Sequence, residues 1–195
     1  MKKVAGLVAL AVALGLAGRM SPGAPAAGVA FTVNDQTATE SLEHWNNHYV
    51  PSLALSEDVK VGKHSICGTY GFTENAILWP GDNLYWDLTK CEKMVFWVKS
   101  DQPNDNLRVM LLTNGFDHRR DAVASIGKEW KLIELPFTEE TFEHAVGTEF
   151  SFAKVAAVDF YQNQTGQYKI WIDGLEFVQG TPKQPARTEA APQGK

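Results

Sequence analysis

A two-residue period, recurring in short runs, constrains this chain more than any other feature. Met94–Lys99 (MVFWVK) and Leu107–Thr113 (LRVMLLT) are the strongest strand candidates, and Trp130–Leu135 (WKLIEL) is another. Side chains of a strand point to opposite faces in turn, so such runs read as strands with one greasy side. Shorter runs accompany them: Phe31–Val33, Glu40–Trp45, Leu53–Leu55, His64–Phe72, Ala76–Trp79, Leu84–Trp86 and Ala122–Ile126. Turn residues part them, notably Val61-Gly62-Lys63 and Pro80-Gly81-Asp82. No helical period is sustained beyond about 12 residues. One helical turn or short helix fits Thr138–Val146. Short strands spaced by turns predict an all-β sandwich or barrel, its large apolar residues facing between two sheets. Lys154–Val178 reads as two more alternating runs around Asn163-Gln164-Thr165-Gly166-Gln167, the mark of an antiparallel hairpin. Its polar and aromatic residues include Asp159, Tyr161, Gln162, Lys169 and Trp171. Aromatic planes beside hydrogen-bonding heads suit a sugar, whose rings have apolar faces and polar edges.

The two ends read differently. Met1-Lys2-Lys3 is basic, Val4–Ala17 is apolar, and small residues follow, which is the order of a secretory signal peptide over residues 1–30. The apolar run is shorter than the roughly 20 residues a membrane span needs. The domain is expected over residues 31–178. From 179 to 195 the chain is rich in Pro, Gly, Gln and Ala, with no large apolar residue, and reads as a disordered tail. The expected location is bacterial, secreted or periplasmic. Removing the leader takes away Lys2, Lys3 and Arg19 and no acid, so the formal charge of −5 becomes −8. An acidic chain without basic clusters is ill suited to nucleic acid or anionic membranes. Cys67 and Cys91 are the only cysteines. In an oxidising compartment a Cys67–Cys91 disulfide is expected, worth about 3 kcal/mol. Two buried free thiols are the alternative.

Enzyme signatures are missing. The chain holds no G-x-S-x-G elbow, and no HExxH surrounds His44 and His48. A non-enzyme is expected. A carboxylate pair for glycoside hydrolysis is the reading against it.

Several segments occur in a telling order: VKVGKHSICGTY, DLTKCEKMVFWVKSD, LRVMLLTNG, EWKLIELPF, FAKVAAVDFYQN and KIWIDGLEF. Together they resemble the galactose-binding-domain-like β-sandwich, a jelly roll of two antiparallel sheets, of bacterial carbohydrate-binding modules, the glucan-binding ones above all. The resemblance spans about Phe31 to Val178. It implies a non-catalytic protein that binds poly- or oligosaccharide across a concave sheet. It also implies a structural Ca²⁺, with Asp173 matching the C-terminal carboxylate, Glu40 the N-terminal one, and carbonyls of Gly62–Ser65 completing the shell. Alternation then supplies the face. With Met94, Phe96, Val98, Leu107, Val109, Leu111, Val158 and Phe160 inward, the outward set Trp97, Arg108, Asp159, Tyr161 and Trp171 becomes the expected sugar site. Outward Met110, Leu112, Val155 and Ala157 are greasier than a glucan cleft, which favours a protein-interaction or structural domain as the alternative. The loop Asn114–Asp121 is expected to be a solvated hairpin loop that could edge the same cleft.

Overall fold

The computed structural model describes residues 37–46, 52–71, 74–81, 84–113 and 117–180. The expected leader, the Phe31–Val33 strand, His48, Asn114–Phe116 and the tail from 181 onward lie outside these residues. Eleven strands follow one another: β1 (Trp45–Asn46), β2 (Ala54–Ser56), β3 (Ser65–Tyr70), β4 (Asn75–Leu78), β5 (Cys91–Ser100), β6 (Asn104–Leu112), β7 (Arg119–Ile126), β8 (Lys131–Pro136), β9 (His144–Val146), β10 (Ala157–Gln162) and β11 (Tyr168–Gln179). Single 3₁₀ turns occupy Thr37–Thr39 and Phe152–Lys154. The strands form two antiparallel sheets, one of six in the order β1-β4-β10-β6-β7-β9 and one of five in the order β2-β3-β11-β5-β8. The fold is the expected all-β sandwich.

Alternation sets the inner faces. Met94, Phe96 and Val98 of β5 meet Leu107, Val109 and Leu111 of β6, together with Val158 and Phe160 of β10, in one buried core. Phe96 stands edge-on to Phe160 at 5.3 Å, and Trp86 edge-on to Phe177 at 5.3 Å. Beyond Pro136 the chain makes one helix-like turn, closed by Phe142 N–H donating to Thr138 C=O, before β9 begins at His144. The turn expected over 138–146 is therefore followed by a short strand.

Three expectations need correction. β10 and β11 do not form a hairpin, because β10 pairs with β4 and β6 whereas β11 pairs with β3 and β5. Alternation marks a strand but not its partner, and the connection 163–167 is long enough to cross the roughly 10 Å between packed sheets. Second, Cys67 and Cys91 are both free. Cys67 lies opposite Trp171 and Cys91 opposite Gln179 on the same strand, β11. That separation is on the order of 25 Å along the strand, far beyond the ~7 Å Cα limit of a disulfide. Third, Val155 points into the core rather than outward. It forms a lone bridge with Trp86 before β10 begins, so the alternation of β10 does not reach it.

Candidate functional site

The outer face of the six-stranded sheet carries the densest group of chemically useful side chains. Register builds it in rows. Asp159 of β10 lies between Ile77 of β4 and Met110 of β6, and Met110 lies next to Asp121 of β7, which faces His144 of β9. Tyr161 lies between Asn75 and Arg108 in the next row. Met110, Leu112 and Ala157 form an apolar floor, with Ile77, Trp79 and Tyr161 packed against it. The floor is only 3–9 % exposed. The patch is therefore covered by its neighbours and is not an open apolar surface.

Two carboxylates are sunk in this face. Asp159 is fully buried and accepts from Asn75 Nδ2 at 2.7 Å through Oδ2, while Oδ1 has no partner. Burial pushes its pKa up to about 7, against the opposing Asn75 hydrogen bond and with a further upward push from the charge of Asp121. Asp121 is held from three sides. Arg108 Nη1 donates to Oδ2 at 3.2 Å, Arg119 Nε to Oδ1 at 3.2 Å, and His144 Nδ1 lies 3.2 Å from Oδ2.

The five residues expected to bind sugar are divided between two faces. Arg108, Asp159 and Tyr161 come together on the outer face of the six-stranded sheet. Trp97 and Trp171 stand on the outer face of the five-stranded sheet. There Lys60 lies 4.8 Å from the Trp97 ring centre, and Lys99 and Lys169 each lie 4.9 Å from that of Trp171. Lys99 also lies 5.2 Å from the Trp130 ring centre and is ion-paired with Asp58. These ammonium groups hold positions over the rings that a stacked sugar would need. Asn75, Asp121 and His144 were missed in the sequence. Asp121 was assigned to a loop, yet Arg119–Ile126 is strand β7, with Ala122, Ala124 and Ile126 in the core. The alternation of Asp121, Val123 and Ser125 against those three was the available signal.

Glu40 and Asp173 do meet around the loop 60–64. Asp173 Oδ2 accepts the backbone N–H groups of Lys60 at 2.6 Å and Val61 at 2.7 Å, and Oδ1 accepts Gly174 N–H at 2.7 Å and Thr39 Oγ1–H at 3.2 Å. Glu40 Oε1 accepts Lys63 N–H at 2.7 Å, which holds its carboxyl below the usual range, and Oε2 lies 3.4 Å from His64 Nδ1. These partners are donors, whereas Ca²⁺ requires oxygens aimed at it. As arranged, the groups fit a carboxylate clamped by amides and do not fit Ca²⁺. Among the described residues, no three His, Cys, Asp or Glu side chains form a metal-holding group.

No protein-family model and no curated protein matches the chain. Solved structures do. A family 11 carbohydrate-binding module from Clostridium thermocellum, in complex with a β-1,3-1,4-mixed-linked tetrasaccharide, superposes with a TM-score of 0.59 at 16% identity, over 78% of this chain and 98% of that one. The family 11 module of a Clostridium thermocellum cellulosomal cellulase gives 0.58 at 16% identity, over 80% and 97%. The family 30 module of another such cellulase gives 0.52 at 11%, over 80% and 93%. At these identities the likeness is one of fold.

Proposed function

We propose that this protein is a secreted, non-catalytic carbohydrate-binding protein whose poly- or oligosaccharide ligand lies across the outer face of the six-stranded sheet. One observation carries the reading. Tyr161 and Trp79 pack against an apolar floor, the partly exposed polar head of Arg108 lies opposite Tyr161, and the heads of Asn75, Asp121 and Asp159 lie buried on the same face. Rings and floor suit the C–H faces of a sugar, and the heads suit its hydroxyls. The fold shared with carbohydrate-binding modules supports the reading, as do the leader-like first 30 residues. Among the described residues no helix is long and apolar enough to cross a membrane. The low exposure of Met110, Leu112 and Ala157 weighs against a flat protein-docking patch.

The test is affinity electrophoresis against a panel of soluble polysaccharides. Tyr161→Ala and Trp79→Ala are expected to lose retardation, whereas Trp97→Ala and Trp171→Ala keep it. Loss in the second pair alone would move the site to the opposite face. Retardation by none would defeat the reading.

A second reading has one observation in its favour. Asp159 with its raised pKa and Asp121 two strands away resemble the unequal acid pair of an inverting glycosidase. However, Met110 lies between them, and both Asp121 oxygens are held by cationic partners. Release of reducing ends from a polymer that binds, abolished by Asp159→Asn with binding intact, would establish this second reading.

A further inference from the structure

We propose that this sheet face selects acidic glycans, with the guanidinium of Arg108 taking the carboxylate of a uronate-type sugar. The inference rests on the reading of this face as a carbohydrate site and names the class of sugar.

Charge on the face is uneven. Asp121 is one carboxylate between two guanidinium groups, those of Arg108 and Arg119, with His144 against the same Oδ2. Two fixed positive charges thus surround one negative charge, and a protonated His144 would add a third. Asp159, the other acid here, is forced toward its neutral form by burial below about pH 7. In a chain of net charge −5, this part of the face gathers two guanidinium groups around one carboxylate.

Arg108 supplies the geometry. It approaches Asp121 through Nη1 only, and its Nε is buried without a hydrogen-bond partner. Carboxylates grip arginine in a bidentate fork of two parallel N–H bonds, and the Nε side of a guanidinium offers such an edge. Nε itself is covered, but about a quarter of the Arg108 side chain is exposed (26 %), so a carboxylate would meet the guanidinium from its open side. Tyr161 lies directly opposite Arg108 in the β10–β6 ladder, so a ring stands beside this edge. A pyranose resting on Tyr161 would bring an equatorial C5 carboxylate alongside Arg108. A neutral sugar has only a hydroxymethyl group there and would leave the surplus charge uncompensated.

The experiment compares ligands before variants. The full chain is run in affinity gels containing polygalacturonate, alginate, the same polygalacturonate with its carboxyl groups reduced to hydroxymethyl, or mixed-linked β-glucan. The expected result is retardation by a polyuronate that weakens by roughly tenfold or more on carboxyl reduction, the size of a lost charge-assisted pair. Arg108→Gln, which removes the charge and the guanidinium fork but leaves a polar amide, is expected to lose the preference for the carboxylated polymer. Lys99→Gln on the opposite sheet is expected to keep it. Equal binding to reduced and unreduced polymer, or binding to the β-glucan alone, would overturn the acidic class and leave the carbohydrate site standing. Retardation by none of the four polymers, nor by any neutral polymer of the wider panel, would overturn both. The reduced polymer needs no substitution, so the test survives a variant that fails to fold.

Discussion

Burial sets the Asp159 pKa at about 7 in the folded protein, against 3.8 for the free side chain. The folded state therefore keeps a proton that the unfolded chain releases between about pH 4 and pH 7. Stability is unaffected below that window, falls as pH rises through it, and stays low above it. Three units correspond to on the order of 4 kcal/mol. Urea unfolding near pH 5 and pH 8 checks this: Asp159→Asn is expected to lose far less stability than the wild type between the two. Equal losses would mean that Asp159 is not the group that titrates. Arg108, Asp159 and Tyr161 could be placed on one face from the sequence because unbroken strand alternation fixes their side. Asp121 could not. Its neighbours Arg119 and Arg120 look like loop residues, and only tertiary pairing with β6 and β9 draws them into a strand.

At the scale of elements, the loop 60–64, the first 3₁₀ turn and the bulge in β11 depend on each other. Gly62 has φ +69, and a Cβ there would lie 1.9 Å from Glu40 Oε1. Gly62→Ala thus meets both an unfavourable backbone conformation and a steric clash, and is expected to cost more than about 2 kcal/mol. Glu40→Ala in the same chain is expected to recover the clash component, read as coupling in a double-mutant cycle of chemical denaturation. Asp173→Ala would leave the backbone amides of Lys60 and Val61 without their acceptor, whereas Gly174 N–H keeps its bond to Thr39 Oγ1, a loss of about 2 kcal/mol or more. Because those donors already fill the carboxylate, we expect neither EDTA nor millimolar calcium to move the melting temperature. A rise of several degrees with calcium would mean that the amides turn away and admit the ion. The resemblance to carbohydrate-binding modules implied that Glu40 and Asp173 lie near one another. It did not disclose that amides, rather than carbonyls, face them, since backbone direction in an irregular loop leaves little trace in residue type.

For the whole molecule, the sandwich was legible because eleven short strands repeat one simple pattern, while the partner of each strand was not. The β10–β11 connection crosses between the sheets instead of closing a hairpin, and the same sheet order carries Cys67 and Cys91 to distant points along β11. Stability must then come from the shared core and not from a covalent staple. Burial raises the pKa of both thiols, which keeps them in the less reactive protonated form. The protein is accordingly expected to react slowly with a thiol reagent when folded and to yield both thiols when unfolded without reductant. Its melting temperature is expected to be the same with and without dithiothreitol. Thiol titration of the unfolded chain decides the matter directly. Two reactive groups would fit the register seen here, whereas none, with a melting point that drops by several degrees on reduction, would require a different strand order, because β11 lies between β3 and β5 and keeps Cys67 and Cys91 apart at any register.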